Sequence, residues 1–299
     1  MNTPTHLSRR AFIGSVAPLA GLPLLGSWPY PSFATEKFTV GAIIESIMKE
    51  VDGAPFPRTV DQLRTGKLDQ EVTGIVTTMF PTMDVIQKTA DLGANFIIAH
   101  ETPFYNNNDE TDWLQNDTAY LHKMELIQKH KIAIWRFHDY WHRHKPDGII
   151  MGNLIKLGWE KHYDPNTPRL LTLPKSMPIR AIADLAKNKL GISTVRIVGN
   201  LKQECTRIYL AFGYMDSRMQ IAAIDQYKPD LILSGETREW ETIERVRDGQ
   251  QMGLNTSIMV LSHAVSEEAG MEYAAQWLQP KVPGMKITHI PSTNPFTFY

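Results

Sequence analysis

Cysteine is almost absent from this chain of 299 residues, in which Cys205 is the only one. A single thiol excludes an internal disulfide, and the absence of a Cys-x-x-Cys pair excludes the common thiolate zinc and dithiol redox motifs. We therefore predict that Cys205 is an inert, buried or half-buried side chain without a functional role.

Net charge and long apolar runs are lacking as well. The formal net charge is −1, so neither nucleic acid nor an anionic membrane is attracted by a global excess of charge. No segment approaches the run of about 20 apolar residues that a membrane-spanning helix requires. With 42% hydrophobic and 21% charged residues, the composition is that of a packed globular protein. We expect no nucleic-acid partner and no membrane span.

The N-terminus carries an export pattern. Arg9 and Arg10 precede a modest apolar stretch over 15–26, and small residues follow at Ser32 and Ala34. Paired arginines before such a stretch are typical of a twin-arginine signal peptide, which we assign to 1–34. The alternatives are an ordinary signal peptide or a membrane anchor, and against an anchor stand the helix breakers Pro18, Gly21 and Pro23. The route delivers folded proteins to the periplasm.

The remaining chain alternates β-branched apolar segments with helical ones, which predicts an α/β fold with mixed, largely parallel sheets. The proline-richer stretch 163–178 divides it into a first lobe, 35–165, and a second lobe, 166–299. The predicted strands are 72–80, 95–99, 132–137, 194–198, 206–213, 229–234, 257–261 and 286–290. The predicted helices are 40–51, 81–92, 117–131, 147–157, 178–190, 216–227, 237–247 and 264–278.

Three predicted strands run into a histidine, at His100, His138 and His263. In open α/β sheets the carboxyl ends of strands are where ligands bind. Glu101 and Asp139 directly follow the first two histidines. His263 and Glu267 are four apart at the start of a helix, so that their side chains share one face and can bind one ion.

The stretch from His138 to His144 is rich in histidine and also contains His142. Neutral imidazole and carboxylate together suit zinc, manganese, iron or nickel. Each feature has a simpler explanation: a hydrogen-bonded structural histidine, a solvated loop, or acids in the first turn of a helix. Their joint occurrence favours a site for a divalent transition metal with His100, Glu101, His138, Asp139, His142, His263 and Glu267 as candidate ligands.

These motifs resemble the Nif-three-like family of dinuclear metal-centre proteins, whose members are often named GTP cyclohydrolase I type 2 homologues. The resemblance covers about 40–299. It rests on His100-Glu101-Thr102-Pro103 after a strand, on His138 with His142, and on His263 with Glu267 after the element Ser234-Gly235-Glu236. It implies two α/β lobes around a central metal cleft, two metals in each subunit and a homo-oligomer, a toroidal hexamer.

The chain departs from the family pattern at two positions: Glu101 stands where the family has a second histidine, and His142 where it has an aspartate. A carboxylate can bridge two metals, whereas a neutral imidazole normally binds one. Our hypothesis is that Glu101 or Glu267 bridges two ions, with Asp139 as a substitute. If none of them bridges, the site holds one ion.

Two classes of function follow. The first is a metal-dependent hydrolase of a small molecule, a nucleotide or a phosphoester, in which Glu236 is a candidate general base or a partner of a metal ligand. The simpler role for Glu236 is an acid near a helix N-terminus. The second class is a non-catalytic metal-binding or partner-binding scaffold, and a small-molecule binding protein that uses the lobe cleft is a third possibility.

Overall fold

The computed structural model describes residues 38–299, so the predicted twin-arginine signal lies outside the described part of the chain. The strands within these residues are Leu63–Thr65 (β1), Ile75–Thr78 (β2), Phe96–Ala99 (β3), Ala133–Arg136 (β4), Leu170–Pro178 (β5), Arg196–Val198 (β6), Glu204–Tyr214 (β7), Leu231–Glu236 (β8), Ser257–Val260 (β9) and Ile287–His289 (β10). The α-helices are Val40–Met48 (α1), Met83–Asp91 (α2), Thr118–Lys129 (α3), Asp139–Arg143 (α4), Gly148–Leu157 (α5), Ile179–Leu190 (α6), Ser217–Tyr227 (α7), Glu244–Gln251 (α8) and His263–Leu278 (α9).

The strands form two mixed sheets of five strands each. The first has the order β1-β4-β3-β2-β10 and is parallel except for the edge strand β1. The second has the order β5-β7-β8-β9-β6, with three parallel strands between two antiparallel edges. The predicted α/β class is thereby confirmed. The strands of the first sheet precede residue 165 except for β10, which returns from the second half of the chain to pair with β2.

Side chains alternate along the strands between a central core and an outer layer, because successive strand residues point to opposite faces. In β3, Phe96 and Ile98 belong to the central core, whereas Ile97 lies in the outer cluster under α2 and α3. In β8, Leu233 faces the same central core and Ile232 faces the outer cluster under α7 and α8. The two sheets therefore share one core, which the helices α1, α5, α6 and α9 complete.

Helix α9 is held against its surroundings by small residues and by buried hydrogen bonds. Gly152 in α5 lies so close to α9 that a Cβ there would be 2.5 Å from the carbonyl oxygen of Ala269. On the other side, the Thr77 hydroxyl of β2 donates to the carbonyl of Met271 at 2.8 Å. The first turn of α9 is thus fixed beside the carboxyl ends of the strands of both sheets.

The structure contains elements that the sequence pattern did not predict. Strand β1 lies in a stretch for which neither a strand nor a helix was predicted, and β5 lies in the stretch predicted as the lobe boundary. Both are edge strands, and β5 carries Pro174 and Pro178, which are tolerated only where a backbone N–H need not pair with a neighbour. The short helix α4 was also not predicted. Among residues 38–299, no helix is long and apolar enough to cross a membrane.

The contact between α5 and α9 gives a prediction about stability. Gly152→Ala places a methyl group against the backbone of α9, and we expect it to lower the free energy of unfolding by about 1–3 kcal/mol despite the better helix propensity of alanine. Thermal and urea unfolding measure the change. Gly249→Ala in α8 is the matched control, since its Cβ would approach the flexible end of Arg245 at 2.9 Å and otherwise meet Leu254 at ordinary contact distance. A Gly152→Ala protein as stable as wild type would contradict the prediction.

Candidate metal centre

The candidate ligands lie where three parallel strands end. His100 directly follows β3, His138 comes two residues after β4, and His263 is the first residue of α9, shortly after β9. The turn into α9 is sharp because Ser262 adopts a φ of 96°, which is rare for a residue with a side chain. Two sheets thus contribute to one site, His100 and His138 from the first and His263 from the second.

His100 is fully buried, and its tautomer is fixed by its surroundings. Its Nδ1 lies 3.1 Å from the carbonyl oxygen of Phe137, and a carbonyl can only accept, so Nδ1 carries the proton. The Nε2 atom therefore keeps a free lone pair. It is buried and has no hydrogen-bond partner within residues 38–299.

His138 and His142 are held in the same way, each by a carboxylate on Nδ1. Asp139 Oδ1 lies 2.9 Å from Nδ1 of His138, and Asp147 Oδ2 lies 3.1 Å from Nδ1 of His142. The rings of His100, His138 and His142 are neighbours, with centroids 4.6 to 5.0 Å apart, and can present ligand atoms within 4.8 Å of one another. Asp139, a predicted candidate ligand, contacts Nδ1 of His138, and together with His138 and Asp61 it forms an additional set of possible ligand atoms within 4.8 Å of one another.

A second group of three consists of Glu101, His263 and Glu267, again with ligand atoms within 4.8 Å. Nε2 of His263 lies 3.1 Å from Oε2 of Glu267, as the spacing of four on a helix predicted, and 3.4 Å from Oε1 of Glu101. Its Nδ1 lies 3.4 Å from Oε1 of Glu236. All four histidines of the site therefore have Nδ1 beside an acceptor and Nε2 toward the interior.

The two carboxylates of the second group, Glu101 and Glu267, also approach the histidines of the first group. Glu101 Oε1 is 3.7 Å from Nε2 of His138, while the Glu267 oxygens are 3.6 Å from Nε2 of His100 and 3.8 Å from Nε2 of His142. Each carboxylate thus approaches histidines of both groups.

Glu101 and Glu267 are buried, and different neighbours compensate for their burial. Arg136, itself fully buried, donates to Glu101 Oε2 at 2.6 Å, which leaves Oε1 toward the histidines. Glu267 has no arginine or lysine within ion-pair distance among the described residues. Its carboxylate is also approached by the backbone at Gly213, where φ is +62° and a Cβ would overlap it.

The pKa values show how strongly these charges interact. Burial opposes ionisation of Glu101, but the hydrogen bond from His263 and the charge of Arg136 lower its pKa to about 2. Burial likewise opposes protonation of His263, yet its hydrogen bonds to Glu101, Glu236 and Glu267 raise its pKa to about 12. The cluster of acids thus strongly favours a positive charge at its centre.

At His100 the effect of burial outweighs that of the neighbouring acid. Burial lowers the pKa of His100, and the nearby Glu267 only partly offsets this effect. His100 is therefore held neutral, the form in which imidazole binds a metal.

The residues fit a divalent transition metal. The buried, unpaired Nε2 of His100 is an atom whose burial is costly unless it has a partner. Imidazole nitrogens and carboxylate oxygens are donors that zinc, manganese, iron and nickel accept. A cation at this place would also neutralise the excess acid charge around His263. The residues that would hold it are His100, Glu101, His138, His142, His263 and Glu267.

A cavity of about 860 Å³ opens beside the second group. His263 and Glu236 lie in its wall, and its other walls come from the segment after β3, from β9 and from the C-terminal residues. The volume is within the range of small-molecule sites.

A family model for Duf34/NIF3 (NGG1p interacting factor 3) matches residues 62–295. The chain belongs to the Duf34/NIF3 family. It is 25% identical over 219 residues to a GTP cyclohydrolase 1 type 2 homolog of Clostridium perfringens, a match that covers 69% of this chain and 77% of that relative. The resemblance seen in the motifs is thereby confirmed.

Solved structures of the NIF3 superfamily share the fold. A Bacillus cereus protein related to NIF3 aligns with a TM-score of 0.72 at 16% identity, over 88% of this chain and 100% of its own. A Staphylococcus aureus protein aligns with a TM-score of 0.70 at 18% identity, over 88% and 100%. Identities this low establish the common fold alone.

Two acids of the Duf34/NIF3 site were missed from the sequence. Asp147 is the N-cap of α5, where it accepts from the backbone N–H groups of Ile149 and Ile150 besides contacting His142. Asp61 accepts from the backbone N–H groups that start α4, those of His138, Asp139 and Tyr140. An aspartate before an apolar helix is a recognisable cap signal for Asp147, whereas no local signal identifies Asp61.

The position of Asp147 gives a prediction about metal affinity. Asp147→Asn keeps an N-cap acceptor but weakens the tether on His142, so we expect metal affinity to fall roughly 10- to 100-fold. Equilibrium dialysis against zinc or manganese measures it. Asp117→Asn is the matched control, because Asp117 caps α3 through Tyr120. Equal affinities of the two variants would show that the tether has no influence on binding.

Proposed function

We propose that this protein is a metal-dependent hydrolase of a small molecule, a nucleotide or another phosphoester. The observation that carries the proposal is that one wall of the 860 Å³ cavity is formed by His263, whose Nε2 points into the histidine and carboxylate cluster. A substrate in the cavity would meet the metal site from that side. A site with a position open to substrate is what catalysis requires, whereas a structural site is closed by its protein ligands.

The proposed centre holds two ions, one by each group of three residues. What supports this number is that the two carboxylates of the second group, Glu101 and Glu267, lie within 3.8 Å of histidines of the first group, so that the two sets of ligands would be adjacent. When bound, a divalent metal pair supplies an acidified water and polarises the scissile oxygen. Zinc, manganese, iron and nickel are the ions whose preferences match the donors.

The chain itself supplies orientation and proton transfer. Asp139 and Asp147 hold the rings of His138 and His142 from behind. Glu236 contacts His263 and is 47% exposed at the side chain, in the wall of the cavity. It can therefore act both as the partner of His263 and as the base that takes a proton from the attacking water.

The experiment that tests the proposal compares wild type with a His263→Ala, Glu267→Ala double variant. We expect elemental analysis to find about two equivalents of transition metal in wild type and at most one in the variant, because two of the three ligands of the second group are removed. Hydrolysis of nucleotides and p-nitrophenyl phosphate should fall to the level of metal-free protein.

The matched control is the double variant His289→Ala, Glu268→Ala. It removes a second His–Glu pair that also involves α9, with Nε2 and Oε1 3.3 Å apart, but lies outside both groups of candidate ligands. It should keep its metal. Metal that is bound without hydrolysis of any substrate would favour the scaffold function, and wild type that takes up no metal would refute the metal centre.

We also propose that the chain is exported by the twin-arginine route to the periplasm and assembles there as a homo-oligomer, a hexamer. The paired arginines support export, and family membership supports assembly. An Arg9→Lys, Arg10→Lys variant should remain in the cytoplasmic fraction, because the route selects for the arginine pair. Immunoblots of cell fractions measure this, with Lys37→Arg as the matched control. Periplasmic accumulation of both variants would argue against this route.

A further inference from the structure

The cavity beside the candidate metal centre contains a cation that no described acid neutralises. Lys123 of α3 lines the cavity and is only 5% exposed. Its Nζ donates to the carbonyl of Pro103 at 2.7 Å, and no carboxylate of residues 38–299 lies within 4.0 Å of it. One carbonyl uses one of the three donors of an ammonium group. Two N–H groups thus remain for a ligand.

The other charged groups nearby are already paired. Arg196, the second basic residue of the cavity wall, donates to Glu239 at 2.6 Å. Asp109, the acid whose charge acts on Lys123, is bound to Arg64 at 2.7 Å. Burial lowers the pKa of Lys123 to about 8, which shows how poorly its charge is solvated. An anionic group in the cavity would relieve this cost.

The cavity also presents aromatic surface to a ligand. Tyr105, Phe296 and Phe298 line it with 49%, 65% and 52% of their surface exposed. The Lys123 ammonium lies 5.3 Å from the centre of the Tyr105 ring. A planar ring bound beside Tyr105 would cover this apolar surface and gain stacking contacts.

The distance between the cation and the metal site suits a small molecule. Pro103, which binds Lys123, is two residues after the candidate ligand Glu101. Two residues of extended chain span at most about 7 Å, so the ammonium lies on the order of 10 Å from Glu101. One ligand can therefore reach both.

We propose that the cavity takes an aromatic small molecule with an oxyanion group, phosphate or carboxylate, which Lys123 binds while the ring packs on Tyr105, Phe296 and Phe298. This assignment rests on the proposed function for its connection to the metal, and it makes Lys123 the residue that selects anionic substrates. Binding to Lys123 itself does not require the metal.

The test is isothermal titration of phenyl phosphate, benzoate, phenol and inorganic phosphate into the full protein, both metal-loaded and EDTA-dialysed. We expect phenyl phosphate or benzoate to bind wild type about 10- to 100-fold more tightly than Lys123→Met, since a hydrogen bond to a charged group is lost. The affinity for phenol should be unchanged. Whichever anion binds more tightly to EDTA-dialysed protein identifies the group that Lys123 binds.

Two further variants make the result decisive. Lys123→Gln removes the charge but retains a donor for Pro103, so it separates anion binding from a purely structural role even where Lys123→Met fails to fold. Lys129→Met, at an exposed lysine on the same helix, is the matched control and should bind like wild type.

The outcomes distinguish this inference from the metal centre. Equal anion affinity in wild type and Lys123→Gln overturns the role of Lys123, even where the protein is fully metal-loaded. Inorganic phosphate bound as tightly as phenyl phosphate overturns the aromatic part. If the protein does not load metal, the anion affinities of EDTA-dialysed wild type and Lys123→Gln can still be compared. That comparison tests the role of Lys123 independently of the metal centre.

Discussion

The buried carboxylate of Glu267 is the interaction on which the arrangement of the site depends. An ionised group removed from water must be compensated by charge or by hydrogen bonds. His142 and His263, whose pKa values the neighbouring acids raise, supply positive charge beside Glu267, and the neutral His100 lies 3.6 Å from it. Each of them is in turn oriented from behind by an acceptor on Nδ1. The N-terminal turn of α9 therefore has to lie against the strand ends of both sheets, which the small residues at its crossing with α5 make possible.

The departure of this chain from the family pattern has a structural counterpart. A glutamate at position 101 introduces a negative charge where the resemblance to the family implies an imidazole. The fully buried Arg136, the last residue of β4, compensates for it through Glu101 Oε2. Arg136 is also 3.4 Å from the carbonyl oxygen of His100, so the same guanidinium supports the turn that follows β3. Arg136 thus both compensates the charge of Glu101 and stabilises the backbone next to it.

The sequence predicted the parts of the site that depend on local pattern. Hydrophobic periodicity predicted the strands that end near His100 and His138. The spacing of four residues predicted that His263 and Glu267 share one face of a helix. Contacts between residues that are distant in the sequence could not be predicted. Asp61 is 77 residues from His138, and Arg136 is 35 residues from Glu101, and only the folded sheet brings each pair together. The edge strands β1 and β5 were missed because a partly exposed strand lacks a continuous apolar run.

The pairing of β10 with β2 bears on the order in which the molecule can fold. His289 contacts Thr77 across 212 residues of sequence, and β10 forms the edge of the first sheet. Contacts between such distant segments form slowly, because the intervening loop has to be closed first. During synthesis one edge of β2 therefore remains unpaired until β10 has left the ribosome. The candidate metal site also needs His263 and Glu267 of α9, so it can be completed only after those residues have been synthesised.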